Sequence, residues 1–151
     1  MDLLQFGVYR GASMRAMGLE LNHSGTLFRR FWGFDSFEGL PSEDATVGTD
    51  VREWARGAFS AAAALGDYSF SSVQSKLLRY IDDPRVTFVR GFYNESLTTG
   101  LSRHVRPVLY ADIDCDLYVS ARDALQWMLG NGLVVSGTVI GYDDIWVSGD
   151  A

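Results

Sequence analysis

Five short apolar runs separated by helix-like segments constrain this chain more than any other feature. The runs are "LLQFG" (residues 3–7), "RFWGFD" (30–35), "RVTFVRG" (85–91), "RPVLYADID" (106–114) and "GTVIGYDD" (137–144), and each reads as a strand. Between them, "SMRAMGLEL" reads as a helix with Ser13 as its N-cap. "SFSSVQSKLLRYI" sets Val73, Leu77, Leu78 and Ile81 at helical spacing, and "SARDALQWML" reads as another helix. The segment "VREWARGAFSAAAALG" is expected to be helical in part, after the long polar and small-residue stretch "SFEGLPSEDATVGTD". Strands that alternate with helices imply a parallel sheet covered on both faces. With 151 residues and no internal repeat or interdomain linker, one domain with a substantial core is expected over residues 1–151.

Sheets of this kind bind ligands outside the carboxyl ends of their strands, near the point where the strand order reverses. The residues at those ends are Gly7, Asp35, Gly91, Asp112 with Asp114, and Asp143 with Asp144. They are scattered in sequence and should converge on one rim. Within "VLYADIDCDLY" the acids Asp112, Asp114 and Asp116 recur at every second residue. In an extended backbone that spacing places them on one face, where they repel one another unless a cation sits among them. A strand running out into water has the same composition.

The turn "FGVYRGAS" carries Gly7 and Gly11, which permit a sharp turn and close approach of a ligand ahead of a helix N-terminus. A plain strand-to-helix turn also accounts for it. The dinucleotide pattern G-x-G-x-x-G is absent, which counts against an oxidoreductase on a nucleotide-binding fold. Asp35 closes the second strand, where nucleoside-binding folds place an acid against ribose hydroxyls. Asp114, Asp143 and Asp144, from two adjacent strand ends, form an oxygen-donor set suited to Mg²⁺. His23 and His104 stand apart from any second ligand and are expected at the surface, so zinc is not indicated. Trp32, Trp54 and Trp127 are expected in the core, with Trp146 near enough to the acids to line a pocket.

The formal net charge of −6 argues against nucleic acid as the main partner, because such binders cluster Lys and Arg. No apolar run approaches the roughly 20 residues of a membrane span, and the N-terminus lacks a signal-peptide pattern. The single cysteine, Cys115, is expected as a small buried filler; it fits a reducing compartment, and a cytoplasmic protein is the expectation.

Taken in order, "FGVYRGAS", "FWGFDSFEGLP", "VTFVRGFYNESL", "DIDCDLYVSARDAL" and "GYDDIW" resemble the macrocin O-methyltransferase family from about Leu3 to Trp146. "GFDSFEGLP" and "DCDLY" followed by "DD" are specific together. The family comprises class I S-adenosylmethionine-dependent enzymes that methylate sugar hydroxyls. The resemblance implies a Rossmann-like α/β fold reduced to about five parallel strands in the order 3-2-1-4-5. It implies that Gly7, Tyr9, Gly11 and Ser13 hold the methionine end of S-adenosylmethionine, Asp35 with Ser36 and Phe37 the ribose, and Gly91 and Phe92 the adenine. Asp114, Asp143 and Asp144 match the family's Mg²⁺-binding acids, and Asp114 also its general base. Asp112 stays outside that set. The implied partner is a small hydroxylated acceptor, possessing for example a sugar hydroxyl.

Gln5 stands where many methyltransferases of this class carry an acid. The family's domain also has helices before the first strand and two strands after the fifth, which this chain is expected to lack. Strand five would then lie at an open edge that invites pairing, with a homodimer as one way to cover it. Two readings follow: an S-adenosylmethionine- and Mg²⁺-dependent O-methyltransferase, or a truncated, non-catalytic subunit of the same fold that holds cofactor or metal.

Overall fold

The computed structural model describes residues 1–41 and 56–143. Five strands form one sheet: β1 (Asp2–Phe6), β2 (Phe31–Asp35), β3 (Val86–Arg90), β4 (Val108–Ile113) and β5 (Val139–Tyr142). Their order is β3-β2-β1-β4-β5 and every neighbouring pair is parallel. The expected order therefore holds. The order reverses between β1, the central strand, and its neighbour β4.

The connecting helices are α1 (Ala12–His23), α2 (Ala61–Leu65), α3 (Phe70–Ile81), α4 (Tyr93–Ser96), α5 (Thr99–Ser102) and α6 (Tyr118–Gly130). Strand alternation sorts the core into two layers. On one face, Leu4, Phe6, Trp32, Phe34, Val108, Ala111 and Ile113 pack against Ala124, Trp127 and Met128 of α6. On the other, Leu3, Phe31 and Val86 meet Met14 of α1 with Val73, Leu77 and Ile81 of α3. Burying each such side chain contributes on the order of 1.5–3 kcal/mol, so these two layers carry most of the fold's stability.

The 3.6-residue spacing in α3 buries Val73, Leu77 and Ile81, while Leu78 is 36% exposed, one position off the apolar stripe. Gly33 marks where α1 and β3 crowd the sheet: a Cβ there would fall 2.8 Å from the Phe88 ring and 3.0 Å from Met14 Sδ. Trp32 and Trp127 are core residues, and His23 and His104 are exposed, as expected; Trp54 and Trp146 lie outside the described residues.

The start of β1 is fixed by charge as well as by packing. Asp2 has no solvent exposure, and its carboxylate accepts from Arg29 Nε at 3.0 Å, Arg29 Nη2 at 2.7 Å, Trp32 Nε1 at 2.9 Å and Arg106 N at 3.0 Å. Burial alone would push this carboxyl up, but the donors outweigh it and hold the carboxyl below its usual range. A buried acid so surrounded locks the bottom of the sheet, at the end opposite the rim.

β5 is an edge of the sheet, with Val139 and Tyr142 exposed. No helix among the described residues is long and apolar enough to cross a membrane.

Candidate functional site

A cavity of about 300 Å³ opens at the carboxyl ends of the strands. Its lining includes Gly7, Tyr9, Asp35, Ser36, Gly91, Phe92, Asp114 and Asp143. Eight of the residues singled out in the sequence thus share one space. Gly11, Ser13 and Phe37 are not part of the lining. Asp144 lies outside the described residues.

The glycine turn is built around Asp35. One carboxylate oxygen, Oδ2, accepts from Val8 N at 2.8 Å and Tyr9 N at 3.0 Å, and Oδ1 accepts from Phe37 N at 2.6 Å. A carboxylate offers about four acceptor positions, and backbone N–H groups of the described residues engage three of them. The side chain expected to take ribose hydroxyls therefore also organises the β1 turn. Ser36 beside it donates to Gly39 O at 2.7 Å and accepts from Glu38 N at 3.0 Å.

Gly7 has φ +92°, and a Cβ built on it would lie 1.8 Å from the Asp114 carbonyl oxygen. Glycine is required there by both backbone angle and contact. Gly11 acts differently. It precedes α1 at φ 77° and is buried against α3, where a Cβ would come within 3.1 Å of Ile81. Gly11 is the N-cap, with no side-chain capping bond, and Ser13 sits exposed within the first turn of α1. The Ser13 cap expected from the sequence is displaced because the left-handed glycine already turns the chain into the helix.

The acids divide. β4 ends at Ile113, so the alternation of Asp112, Asp114 and Asp116 does not persist: Asp114 and Asp116 lie in the loop and line the cavity, while Asp112 does not. Asp112 pairs in register with Gln5 across β1 and β4, and it accepts from Tyr110 Oη at 3.3 Å. Burial pushes its carboxyl up, with the Gln5 amide and Tyr110 hydroxyl pulling the other way. Gln5 is fully buried, and neither of its amide atoms makes a hydrogen bond of good geometry, so its interaction with Asp112 is weak. Gln5 therefore belongs to the sheet face and not to the cavity lining. Cys115, expected to be buried, is half-buried and lines the cavity because the chain has already left the strand. Asp143 follows β5, its N–H donating to Ile113 O at 3.3 Å. Among the described residues, no three acidic, histidine or cysteine side chains stand grouped to hold a metal.

The cavity also uses residues that strand-end reasoning did not reach. Tyr93 is in α4, a short helix with no periodic signal, and its ring packs edge-on against Phe6 at 5.7 Å. Its hydroxyl donates to Phe34 O at 3.2 Å, the same carbonyl that accepts from Gly7 N at 2.9 Å. Burial pushes this phenol well above its ordinary range, reinforced by the acidic groups of Cys115, Asp35 and Asp114, so it remains a neutral donor. Phe59 is contributed by the segment before α2, and Ser120 by the first turn of α6. No local spacing in the sequence distinguishes any of the three.

A five-stranded parallel sheet in this order, with a glycine turn after β1 and an acid closing β2, defines the Rossmann-like class I methyltransferase fold. The sequence matches the family described as Macrocin-O-methyltransferase (TylF) over residues 1–150, and the chain belongs to that family. It is 33% identical over 129 residues to the 8-demethyl-8-(2,3-dimethoxy-alpha-L-rhamnosyl)-tetracenomycin-C 4'-O-methyltransferase of Streptomyces olivaceus, covering 83% of this chain and 46% of that protein. The O-methyltransferase NovP superposes with a TM-score of 0.58 at 26% identity, over 86% of this chain and 52% of NovP. The calicheamicin methyltransferase CalS11 shares the fold at a TM-score of 0.73 and 18% identity, over 95% of this chain and 57% of CalS11. The chain thus spans about half the length of these relatives.

Proposed function

We propose that this chain binds S-adenosylmethionine in the rim cavity and directs its methyl group to a hydroxyl of a small molecule, with a sugar hydroxyl as the leading class. The observation that carries the reading is that Gly7, Tyr9 and Asp35 line the same cavity as Asp114 and Asp143. The residues proposed to hold the nucleoside and the carboxylates proposed to handle a proton thus share one cavity. The family membership supports methyl transfer, and the relative's name, a 4'-O-methyltransferase of a rhamnosyl compound, supports the acceptor class.

The residues present fit the cofactor. The glycine turn gives close backbone approach, the Asp35 carboxylate at the cavity wall is suited to a ribose hydroxyl, and Gly91 with Phe92 is suited to the base. S-adenosylmethionine, when bound, supplies a methyl group already activated by its sulfonium. What the chain must add is alignment of the acceptor oxygen and removal of its proton. Asp114 is the residue we assign to take that proton, since its loop position between β4 and α6 faces the cavity. Asp114 and Asp143 are hard oxygen donors that fit Mg²⁺, with Asp144 as the third member of the proposed set. Mg²⁺, when bound, lowers the pKa of a coordinated hydroxyl.

The test is methyl transfer from isotopically labelled S-adenosylmethionine to a panel of glycosylated and free sugars, with added Mg²⁺ or with chelator. Transfer that needs Mg²⁺ and disappears in Asp114→Asn supports the full reading. Transfer that persists in chelator would remove the metal from it, and cofactor binding without transfer to any sugar would leave a binding module.

A further inference from the structure

Among the described residues, three aromatics occupy the left-handed backbone region: Tyr9 at φ 46°, Phe37 at 61° and Phe59 at 55°. For bulky side chains this costs on the order of 1–3 kcal/mol each and persists only where surrounding structure enforces it. Phe37 is explained by packing, being 2% exposed against Phe70 and Phe88. Phe59 is not. It is 46% exposed, meets Tyr9 edge-on at 5.9 Å, and lines the cavity with it.

The chain around Phe59 is fastened on both sides. Leu40 N donates to Ala58 O at 2.9 Å and Gly57 N to Leu40 O at 3.0 Å, joining this segment to the loop after β2. The approach is so close that a Cβ on Gly39 would fall 2.4 Å from Gly57 O. On the other side, Ser60 caps α2 by accepting from Ala63 N at 3.2 Å, and Ala62 N donates to Phe37 O at 3.2 Å. Passing from the strap into the cap forces a left-handed residue at 59. Glycine or asparagine would take that conformation with less strain. Phenylalanine instead places a large apolar ring, little used by the fold, on the wall shared with Tyr9 and Asp35.

We infer that Phe59 is a ligand-binding residue, an apolar wall that covers the cofactor on the Tyr9–Asp35 side of the cavity and excludes water from it. This rests on the cofactor reading above. The strained backbone is retained for the ring it presents, so stability and binding should respond to substitution separately.

The experiment compares wild type with Phe59→Asn, which suits the left-handed angle but lacks the ring, and with Phe59→Tyr, which restores it. S-adenosylmethionine affinity is read by calorimetric titration and the melting temperature by circular dichroism. Phe59→Asn is expected to weaken binding roughly tenfold, the scale of one lost apolar contact in a pocket, with Phe59→Tyr close to wild type. The melting temperature of Phe59→Asn should stay within about 2 °C of wild type or rise. Equal binding by wild type and Phe59→Asn would overturn the inference alone. Loss of affinity in step with a fall in melting temperature would assign Phe59 to the scaffold and overturn it too. Absence of binding by the wild type would sink the cofactor reading itself, and this inference with it.

Discussion

The α-carbon of Gly7 faces the backbone carbonyl of Asp114 so closely that a methyl group on it would lie 1.8 Å from that oxygen. The turn after β1 and the loop after β4 thus close on each other at the rim. Because the obstacle is backbone, it has little freedom to move aside. Gly7→Ala combines this clash with a strained φ, and we expect a loss of about 3 kcal/mol or more. A thermal melt should show a drop of roughly 6–12 °C for a chain of this size; an unchanged melting temperature would mean that the two loops are not in contact.

Asp35 holds the turn from the other side through Val8 and Tyr9. Asp35→Ala removes three acceptor contacts as well as the proposed ribose acceptor. It should therefore weaken S-adenosylmethionine by roughly 10- to 100-fold, as for loss of a charged hydrogen-bonding group of about 1.5–3 kcal/mol. Asp35→Asn keeps one carbonyl oxygen and should fall between it and wild type. Titration of both variants checks the order; equal affinities would show that the acid is not used.

Tyr93→Phe keeps the ring on Phe6 and removes one of two donors to the Phe34 carbonyl, while Gly7 N remains. Since the carbonyl is not orphaned, the cost should be only about 1 kcal/mol. The melting temperature should fall by roughly 2–4 °C, and a larger drop would indicate that the hydroxyl supports more than this carbonyl.

Acid should unfold the protein through specific carboxylates. Asp2, Asp83 and Asp67 all have folded-state values held down: Asp2 despite burial, by Arg29, Arg106 and Trp32; Asp83 by Arg85; and Asp67 to about 2 by Ser72, Ser69 and Lys76. A depressed carboxylate contributes stability that is present above its unfolded value near 3.8 and lost as pH falls through its folded value. These three groups should make denaturant midpoints decline between about pH 4 and 2, while Asp112, its carboxyl pushed up by burial, acts in the opposite sense as pH falls through its folded value. Asp2→Asn removes the charged acceptor of Arg29, Trp32 and Arg106; because Arg29 is 34% exposed and water can solvate it, the loss at pH 7 should be about 1–2 kcal/mol. Its own decline in acid should be shallower than wild type, and a parallel curve would exclude Asp2 as a contributor.

The sequence by itself determined the sheet. Five apolar runs separated by helical patterns leave few alternatives to a parallel sheet, and the resemblance to the family, carried by motifs in the same sequence, implied the observed order β3-β2-β1-β4-β5. It also determined the rim, since strand ends are read directly from Gly7, Asp35, Gly91 and Asp114, which line one cavity. Only the tertiary structure decided how those residues divide their work. Gly11 faces α3 instead of the cavity, because which side of a turn a glycine serves depends on the element packed against it. Asp112 and Asp114, two residues apart, part company because β4 ends between them, and side-chain alternation holds only while the backbone stays extended. Tyr93 and Phe59 join the cavity from segments without periodic pattern, so their place depends on long-range contacts with Phe34 and Tyr9. Local spacing encodes which face of an element is buried; what meets across a cavity is settled only when the elements pack.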